Sequence, residues 1–315
     1  MTSPACSKGR DILMITVFGS INMDLIATTA RLPKPGETVA GNGFATAAGG
    51  KGANQALAAR RAGRYVHMAG AVGKDGFAAD ALALLDDAGT DLSLVKHVDG
   101  PTGTALILVG GDGENMIAVV PGANGLVTAG DAETAVGRMN EGDILMLQLE
   151  VPVDAVERAL SAGRAKGITS ILNLAPLIPD APRLGRLADI VIANETEFDL
   201  YADALGLAGG SREDRMHAFS AETGRTVVVT LGGDGVAAVE AGRLLRVPAL
   251  PVTPVDTVGA GDTFCGYLAA GLSEGLPLQQ ALARAAAAGS LACTRNGAQP
   301  SIPLRGEVDA ALKSA

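Results

Sequence analysis

The chain contains no tryptophan, only three tyrosines and six phenylalanines. Aromatic platforms for stacking bases are therefore scarce. Basic residues are the minority charge: 25 Lys and Arg against 34 Asp and Glu leave a net charge of −9. Without a basic stripe or interleaved aromatics, a nucleic-acid partner is not expected. Cysteine is nearly absent, with Cys6, Cys265 and Cys293 alone. So sparse and odd a set argues against a disulfide framework and for a reducing compartment. Met1 to Arg10 lacks the apolar core of a signal peptide. No apolar run approaches the ~20 residues of a membrane span. These absences predict a cytoplasmic protein with no membrane partner. The three histidines, His67, His97 and His217, are scattered and lack metal-ligand spacing.

What is present is aliphatic. Hydrophobic residues make up 48% and charged residues 19%, which excludes disorder because such a chain buries ample apolar surface. With aromatics at 3%, the core must be built from alanine and branched aliphatics. Glycine reaches 42 of 315 residues with no three-residue period, so collagen is excluded. The glycines must serve turns, close backbone approaches and anion-binding loops. The length suits one large domain over residues 1–315 with a small appendage.

The rhythm is strand, helix, strand. Buried strands are expected at 14–18, 65–71, 144–149, 169–173, 190–193 and 226–231. Helices are expected at 51–62, 77–88, 153–166, from about 194, and at 263–272. Such alternation predicts an α/β sandwich around a mostly parallel sheet. Two stretches, 25–48 and 102–120, break the rhythm. They hold short strand-like runs joined by Gly, Pro and Asp turns, including Gly111-Asp112-Gly113, a hairpin signal. They predict a small separate sheet inserted into the α/β body. The alanine run at 285–288 reads as a close helix–sheet contact.

Four segments carry chemistry. In Asp256-Thr257-Val258-Gly259-Ala260-Gly261-Asp262-Thr263-Phe264, small residues precede an acid and then an apolar helix. Small residues at a helix start leave backbone N–H groups aimed outward, an anion hole reinforced by the helix dipole. Asp262 beside it suits a hydroxyl that must lose its proton while attacking a phosphoryl group. The same residues also suit a Gly-rich turn with an ordinary Asp cap. Asn194 and Glu197 share one helix face after a strand. They suit a hydrated Mg²⁺ beside phosphates, and equally a capping box. Thr230-Leu231-Gly232-Gly233-Asp234-Gly235 is a hairpin turn whose glycines can also lie against a nucleotide. Near the N-terminus, Asn22, Asp24, Gly49-Gly50-Lys51-Gly52-Ala53-Asn54 and the more distant Glu150 suit a polyhydroxylated ligand such as a sugar, or plain loop polarity. Other readings fail. A Walker A loop needs glycine where Ala45 stands and Ser or Thr where Gly52 stands. No complete G-x-G-x-x-G follows a strand, and no G-x-S-x-G is present.

These residues, in this order, resemble the ribokinase family of carbohydrate kinases, also called the PfkB family. The likeness runs from Gly19-Ser20-Ile21-Asn22-Met23-Asp24 to Gly297-Ala298-Gln299-Pro300-Ser301, through Pro35-Gly36-Glu37-Thr38, Gly113-Glu114-Asn115 and Gly122-Ala123-Asn124. The resemblance implies a doubly wound α/β sandwich with a small β-sheet lid, often used to dimerise. It implies transfer of the ATP γ-phosphate to the 5-hydroxyl of D-ribose. Another pentose, deoxyribose, a ketohexose or a nucleoside as acceptor remains open, as does an inactive sugar-binding protein. By resemblance, Asp262 is the base and the backbone of Gly259, Ala260 and Gly261 is the anion hole. Asn22, Asp24, Gly50, Lys51, Asn54 and Glu150 match sugar-site positions. Asn194, Thr230, Gly232, Gly235 and Gly261 match nucleotide-site positions, and Glu197 would order Mg²⁺ waters. Asp256, Val258, Ala292, Arg295, Gly297 and Ser301 match a monovalent-cation site built largely of carbonyls, a cage that suits K⁺. One departure is Ala286, eight residues before Thr294, where the family often carries His or Asn beside the adenine.

Overall fold

The computed structural model describes residues 13–314. The segment read for a signal peptide and Cys6 lie outside the described residues. In chain order the elements are β1 (Ile15–Phe18), β2 (Asn22–Thr29), β3 (Gly41–Gly49), α1 (Lys51–Arg61), β4 (Val66–Gly73), α2 (Phe77–Asp87), β5 (Asp91–Val98), β6 (Gly103–Val109), β7 (Asn115–Val120), α3 (Ala129–Gly137), β8 (Ile144–Leu147), α4 (Val153–Ala165), β9 (Thr169–Asn173), α5 (Ala181–Gly185), β10 (Ile190–Asn194), α6 (Glu195–Leu205), α7 (Arg212–Thr223), β11 (Thr226–Thr230), β12 (Val236–Glu240), β13 (Arg243–Val247), α8 (Ala260–Ser273), α9 (Leu278–Ala292), α10 (Ala298–Ser301) and α11 (Arg305–Ser314).

The large sheet has nine strands in the order β13-β12-β11-β10-β9-β8-β1-β4-β5. From β11 to β5 neighbouring strands run parallel, and β12 and β13 add an antiparallel edge. A parallel sheet needs cover on both faces, and the strand side chains alternate accordingly. Ile15, Val17, Ile144, Met146 and Ile192 pack into one core with residues of α1, α2, α8 and α9. Phe18, Leu145, Leu147, Val191 and Val227 pack into the other with residues of α3, α4, α6 and α7. The chain leaves β1 toward β4 on one side and later returns to β8 on the other. The crevice beyond the carboxyl ends of β1 and β8 is thus the switch point where α/β sheets bind ligands.

The two stretches without helical pattern form a second sheet, in the order β3-β2-β6-β7. β2 pairs antiparallel with β3 and parallel with β6, and β6 with β7 makes the hairpin around Gly111 to Gly113. Every residue of β7 is exposed, as is most of β3. Most expected boundaries agree with the structure within two residues. The start of α8 does not: the helix begins at Ala260, three residues before Thr263. Gly259 at φ +76° turns the chain there, so small residues that read as loop form the first helical turn. Among the described residues, no helix is long and apolar enough to cross a membrane. Cys265 and Cys293 are free thiols.

Candidate active site

The site grows from the contact of α1 with α8. A Cβ at Gly266 would stand 2.5 Å from the Ala58 Cβ and 2.6 Å from the Gln55 carbonyl oxygen. Only glycine lets the two helices touch so closely. One turn earlier on α8, Asp262 therefore reaches α1. Its Oδ2 accepts from Asn54 Nδ2 at 2.9 Å and its Oδ1 from Gln55 Nε2 at 3.0 Å. Gln55 Oε1 in turn accepts from Gln148 Nε2 at 2.7 Å. Gln55 and Gln148 were not singled out as site residues by sequence reasoning.

The start of α8 differs from that of α3, α6 and α7, each of which has a side-chain capping box. At α8 the N-cap is Gly259 and no side chain caps it. Ala260 N–H is tied weakly to the Thr257 carbonyl at 3.3 Å. The N–H groups of Gly259, Gly261 and Asp262 make no hydrogen bond among the described residues. Orphan donors at the positive end of a helix attract an anion.

The residues matched to a sugar site converge beside Asp262, where β2 leaves the switch point. Asn22 is buried, and its Oδ1 accepts from Asn124 Nδ2 at 2.7 Å. Asn124 also holds both backbone groups of Ile21, at 2.9 and 3.1 Å. This leaves the Asn22 amide N–H groups free of a protein acceptor among the described residues. Asp24 lies over Gly49, where a Cβ would stand 2.5 Å from its Oδ2. Burial, and then the charges of Glu150 and Asp262, push its carboxyl up to about 6. Gly50 caps α1 at φ +87°, and a Cβ there would lie 2.7 Å from Asn22 N. Glu150 accepts from the Ser20 hydroxyl and, at 3.2 Å, from Lys51 N–H, so it also caps α1 from the loop after β8. The Lys51 ammonium is itself part-buried. Burial alone would lower its pKa, but the Asp262, Glu150 and Glu197 carboxylates outweigh that and raise it.

A cavity of about 140 Å³ joins Lys51 and Asp262 to Asn173, Asn194, Glu197, Gly259, Gly261 and Cys265. The capping box expected as the plain reading is real: Asn194 Oδ1 accepts from Glu197 N–H at 2.8 Å, and Glu197 Oε2 from Asn194 N–H at 3.0 Å. Both residues nonetheless line the cavity. Thr230 and Gly261 also border a larger apolar pocket of about 390 Å³. Its wall includes Gly232, Gly233, Gly235, Leu250, Val252, Phe264, Ala286 and Ser290. Gly235, at φ +96°, has no room for a Cβ, which would stand 2.1 Å from the Val247 carbonyl oxygen. Ala286 does face this pocket, on the same side of α9 as Gly289 and Ser290.

Of the residues matched to a cation site, the structure brings Asp256, Val258 and Gly297 together beside the α8 start. Asp256 Oδ1 accepts from Val258 N–H at 3.0 Å and Oδ2 from Gly297 N–H at 2.8 Å, which ties the two loops together. Val255 N–H donates to the Cys293 carbonyl at 2.7 Å. The Arg295 guanidinium is held by Glu307, and the Ser301 hydroxyl donates to the Ala298 carbonyl at 2.8 Å. Ala292 is buried at the end of α9. Asp256 is the one carboxylate in this set, and each of its oxygens accepts from a loop N–H group. Among the described residues, no group of three His, Cys, Asp or Glu side chains is placed to hold a metal ion.

The family model described as pfkB family carbohydrate kinase matches residues 13–305. A ribokinase of Schizosaccharomyces pombe is 36% identical, over 95% of this chain and 97% of its own. A deoxyribokinase of Salmonella typhi is 32% identical, over 92% of this chain and 95% of its own. The structure of Arabidopsis thaliana ribokinase complexed with ribose and ATP superposes with a TM-score of 0.84 at 33% identity, over 96% of this chain and 99% of that one. With its nine-stranded sandwich and small second sheet, and with a match that spans nearly the whole chain, the protein belongs to the pfkB family of carbohydrate kinases.

Proposed function

We propose that the chain transfers the γ-phosphate of ATP to the 5-hydroxyl of D-ribose. One observation carries the reading: Asp262 stands beside uncapped helix N–H groups, between a hydrogen-bonding cluster and an apolar pocket. The apolar pocket suits an adenine. The cluster of Asn22, Asp24, Gly50, Asn54 and Glu150 suits a sugar with several hydroxyls, and relatives of this chain are named for ribose. In the reaction the sugar hydroxyl gives its proton to Asp262 as its oxygen attacks the γ-phosphorus. A free carboxylate is too weak a base to ionise an alcohol beforehand, so the transfer comes late, as the bond to phosphorus forms. The N–H groups of Gly259, Ala260 and Gly261 face the charge that builds on the phosphoryl oxygens. Lys51 adds a positive charge to the lining of the small cavity.

Mg²⁺ comes with ATP, where it shields phosphate charge. One carboxylate, Glu197, suits an ion held mainly by phosphates and water. A K⁺-like ion at Asp256 and the neighbouring carbonyls would fix the loop that leads into Gly259. The small sheet would serve as a lid and as a dimer surface. Phe44, Leu106, Met116 and Val120 are exposed on one face of it and Ile117 and Val119 on the other. Free Cys265 and Cys293 fit a reducing cytoplasm.

The test is ADP release over a panel of ribose, 2-deoxyribose, fructose and adenosine. Ribose should give the highest kcat/KM. Asp24 accepts hydrogen bonds only, so an acceptor that lacks a hydroxyl there leaves it unpaired, at about 1–3 kcal/mol. If 2-deoxyribose or a ketohexose is the best acceptor, the ribose assignment falls while the family stands.

A further inference from the structure

The two oxygens of Asp262 are not held alike. An ionised carboxylate only accepts, so the groups facing it must both be amide N–H. That fixes Gln55 with Nε2 toward Asp262 and Oε1 toward Gln148, whose Nε2 donates at 2.7 Å. Gln148 fits here only because residue 19 is glycine: a Cβ there would lie 1.9 Å from its Oε1, which is buried without a partner. Gln55 is 1% exposed and Gln148 is fully buried. A glutamine so deep on an alanine-rich helix is costly unless it is paired, and Gln55 spends both ends of its amide on this chain of contacts. Asn54 is different. Its Oδ1 is buried with no partner, and it belongs to the cluster assigned to the sugar. A bound sugar therefore gives Asn54 somewhere to turn, and gives Gln55 nothing.

We propose that Gln55, anchored by Gln148, is a positioning residue that holds Oδ1 of Asp262, so that Oδ2, released by Asn54, takes the proton of the sugar hydroxyl. This rests on Asp262 as the base. In the step, the sugar O–H bond breaks and its proton goes to Oδ2. The oxygen's electron pair forms the bond to the γ-phosphorus. The bond from that phosphorus to the β–γ bridging oxygen breaks, and its electrons leave with ADP.

The experiment compares the full-length enzyme with Gln55→Leu, Gln55→Glu, Gln148→Leu and Asp262→Ala, using ribose and ATP. Gln55→Leu should lower kcat about 10- to 100-fold while both KM values stay within about threefold. Gln55→Glu is nearly isosteric and sets a second acceptor against Oδ1. One of the two carboxyls then keeps a proton, so the acidic limb of kcat should move up by about one pH unit or more. The limb is read at saturating ribose, where Asp24 is engaged by sugar. The other ionisable groups around Asp262 are Lys51 on α1, Glu150 after β8, Glu197 on α6 and Cys265 on α8. All are unchanged in these variants, so a moved limb reports on the Gln55 contact. Gln148→Leu should show a smaller kcat loss with unchanged KM, and it decides the matter if circular dichroism finds the Gln55 variants unfolded. A normal kcat in Gln55→Leu, or in Gln148→Leu where that variant decides, overturns the proposal, as does an unmoved limb in Gln55→Glu. Near-normal turnover in Asp262→Ala overturns the base assignment itself. An inactive Asp262→Ala beside a normal Gln55→Leu overturns the positioning role alone.

Discussion

Burial lifts the Asp24 carboxyl from 3.8 to about 6, with the Glu150 and Asp262 charges adding to the effect. The consequence for sugar binding has a definite sign. A hydroxyl donates to the ionised carboxylate, and the free enzyme carries a proton on Asp24 below about 6. Sugar must displace that proton, so affinity present above pH 6 is lost as the pH falls through it. At pH 5 about one free molecule in ten has Asp24 ionised, so ribose affinity should fall about tenfold from its value at pH 8, or about 1.4 kcal/mol. Folding responds in the opposite sense. Asp24 protonation relieves a buried charge, so this group adds stability as the pH drops from about 6 toward 3.8, by about 3 kcal/mol in all. A loss of sugar affinity with intact fold is therefore the signature. Titration calorimetry of ribose without nucleotide, from pH 5 to 8, measures it free of the chemical step. Asp24→Asn should bind weakly and with no pH limb. A flat wild-type affinity, or the same limb in Asp24→Asn, would refute the reasoning.

Activity should rise with K⁺ or Cs⁺ and stay low in Na⁺ or Li⁺ at equal ionic strength; identical rates in all four salts would remove the site at Asp256. Ala286 offers the nucleobase no hydrogen bond, and one such contact is worth about 0.5–1.5 kcal/mol. Ala286→Asn or Ala286→His should thus lower the KM for ATP by up to about tenfold with little change in kcat, and ATP and GTP titrations of all three proteins would check it. On the small sheet, Phe44→Glu with Met116→Lys, both exposed on one face, should convert the dimer proposed for that face into a monomer by light scattering, and an unchanged mass would refute that surface.

The sequence spoke most clearly where chemistry is local. Asp262 and the small residues before it are neighbours in the chain, so their joint meaning is visible in nine letters. Even there the helix start was misplaced, because Ala260 and Gly261 look like loop until Gly259 is known to turn the chain. The capping box of Asn194 and Glu197 was equally local, and it coexists with their place in the cavity. Gln55 and Gln148 were missed for the converse reason. Gln55 is bonded to a residue 207 positions away and to another 93 positions away. The available signal was a glutamine on the apolar face of an alanine-rich helix. Such a residue has to be paired, but the sequence does not say with what. Asn124 reads in the sequence only as part of Gly122-Ala123-Asn124, since its contacts with Ile21 and Asn22 span more than 100 residues. The exposure of β7 was likewise hidden, because an apolar strand reads the same whether its cover comes from its own chain or from a second copy.

The poverty in aromatics, visible from composition alone, is also a condition of the site. Asp262 meets Asn54 and Gln55 only because α8 lies against α1 at Gly266 and Ala58. Farther along, Gly271 meets Ala281 of α9, where a Cβ would stand 2.9 Å from the Ala281 Cβ. Three helices thus stack with backbone-to-backbone spacing, and phenylalanine at these contacts would part them by ångströms. Hydrogen bonds of 2.9 and 3.0 Å to the carboxylate do not survive such a shift. The alanine and glycine that fill this core therefore do more than exclude water: they set the distance at which one helix can hold the carboxylate carried by another.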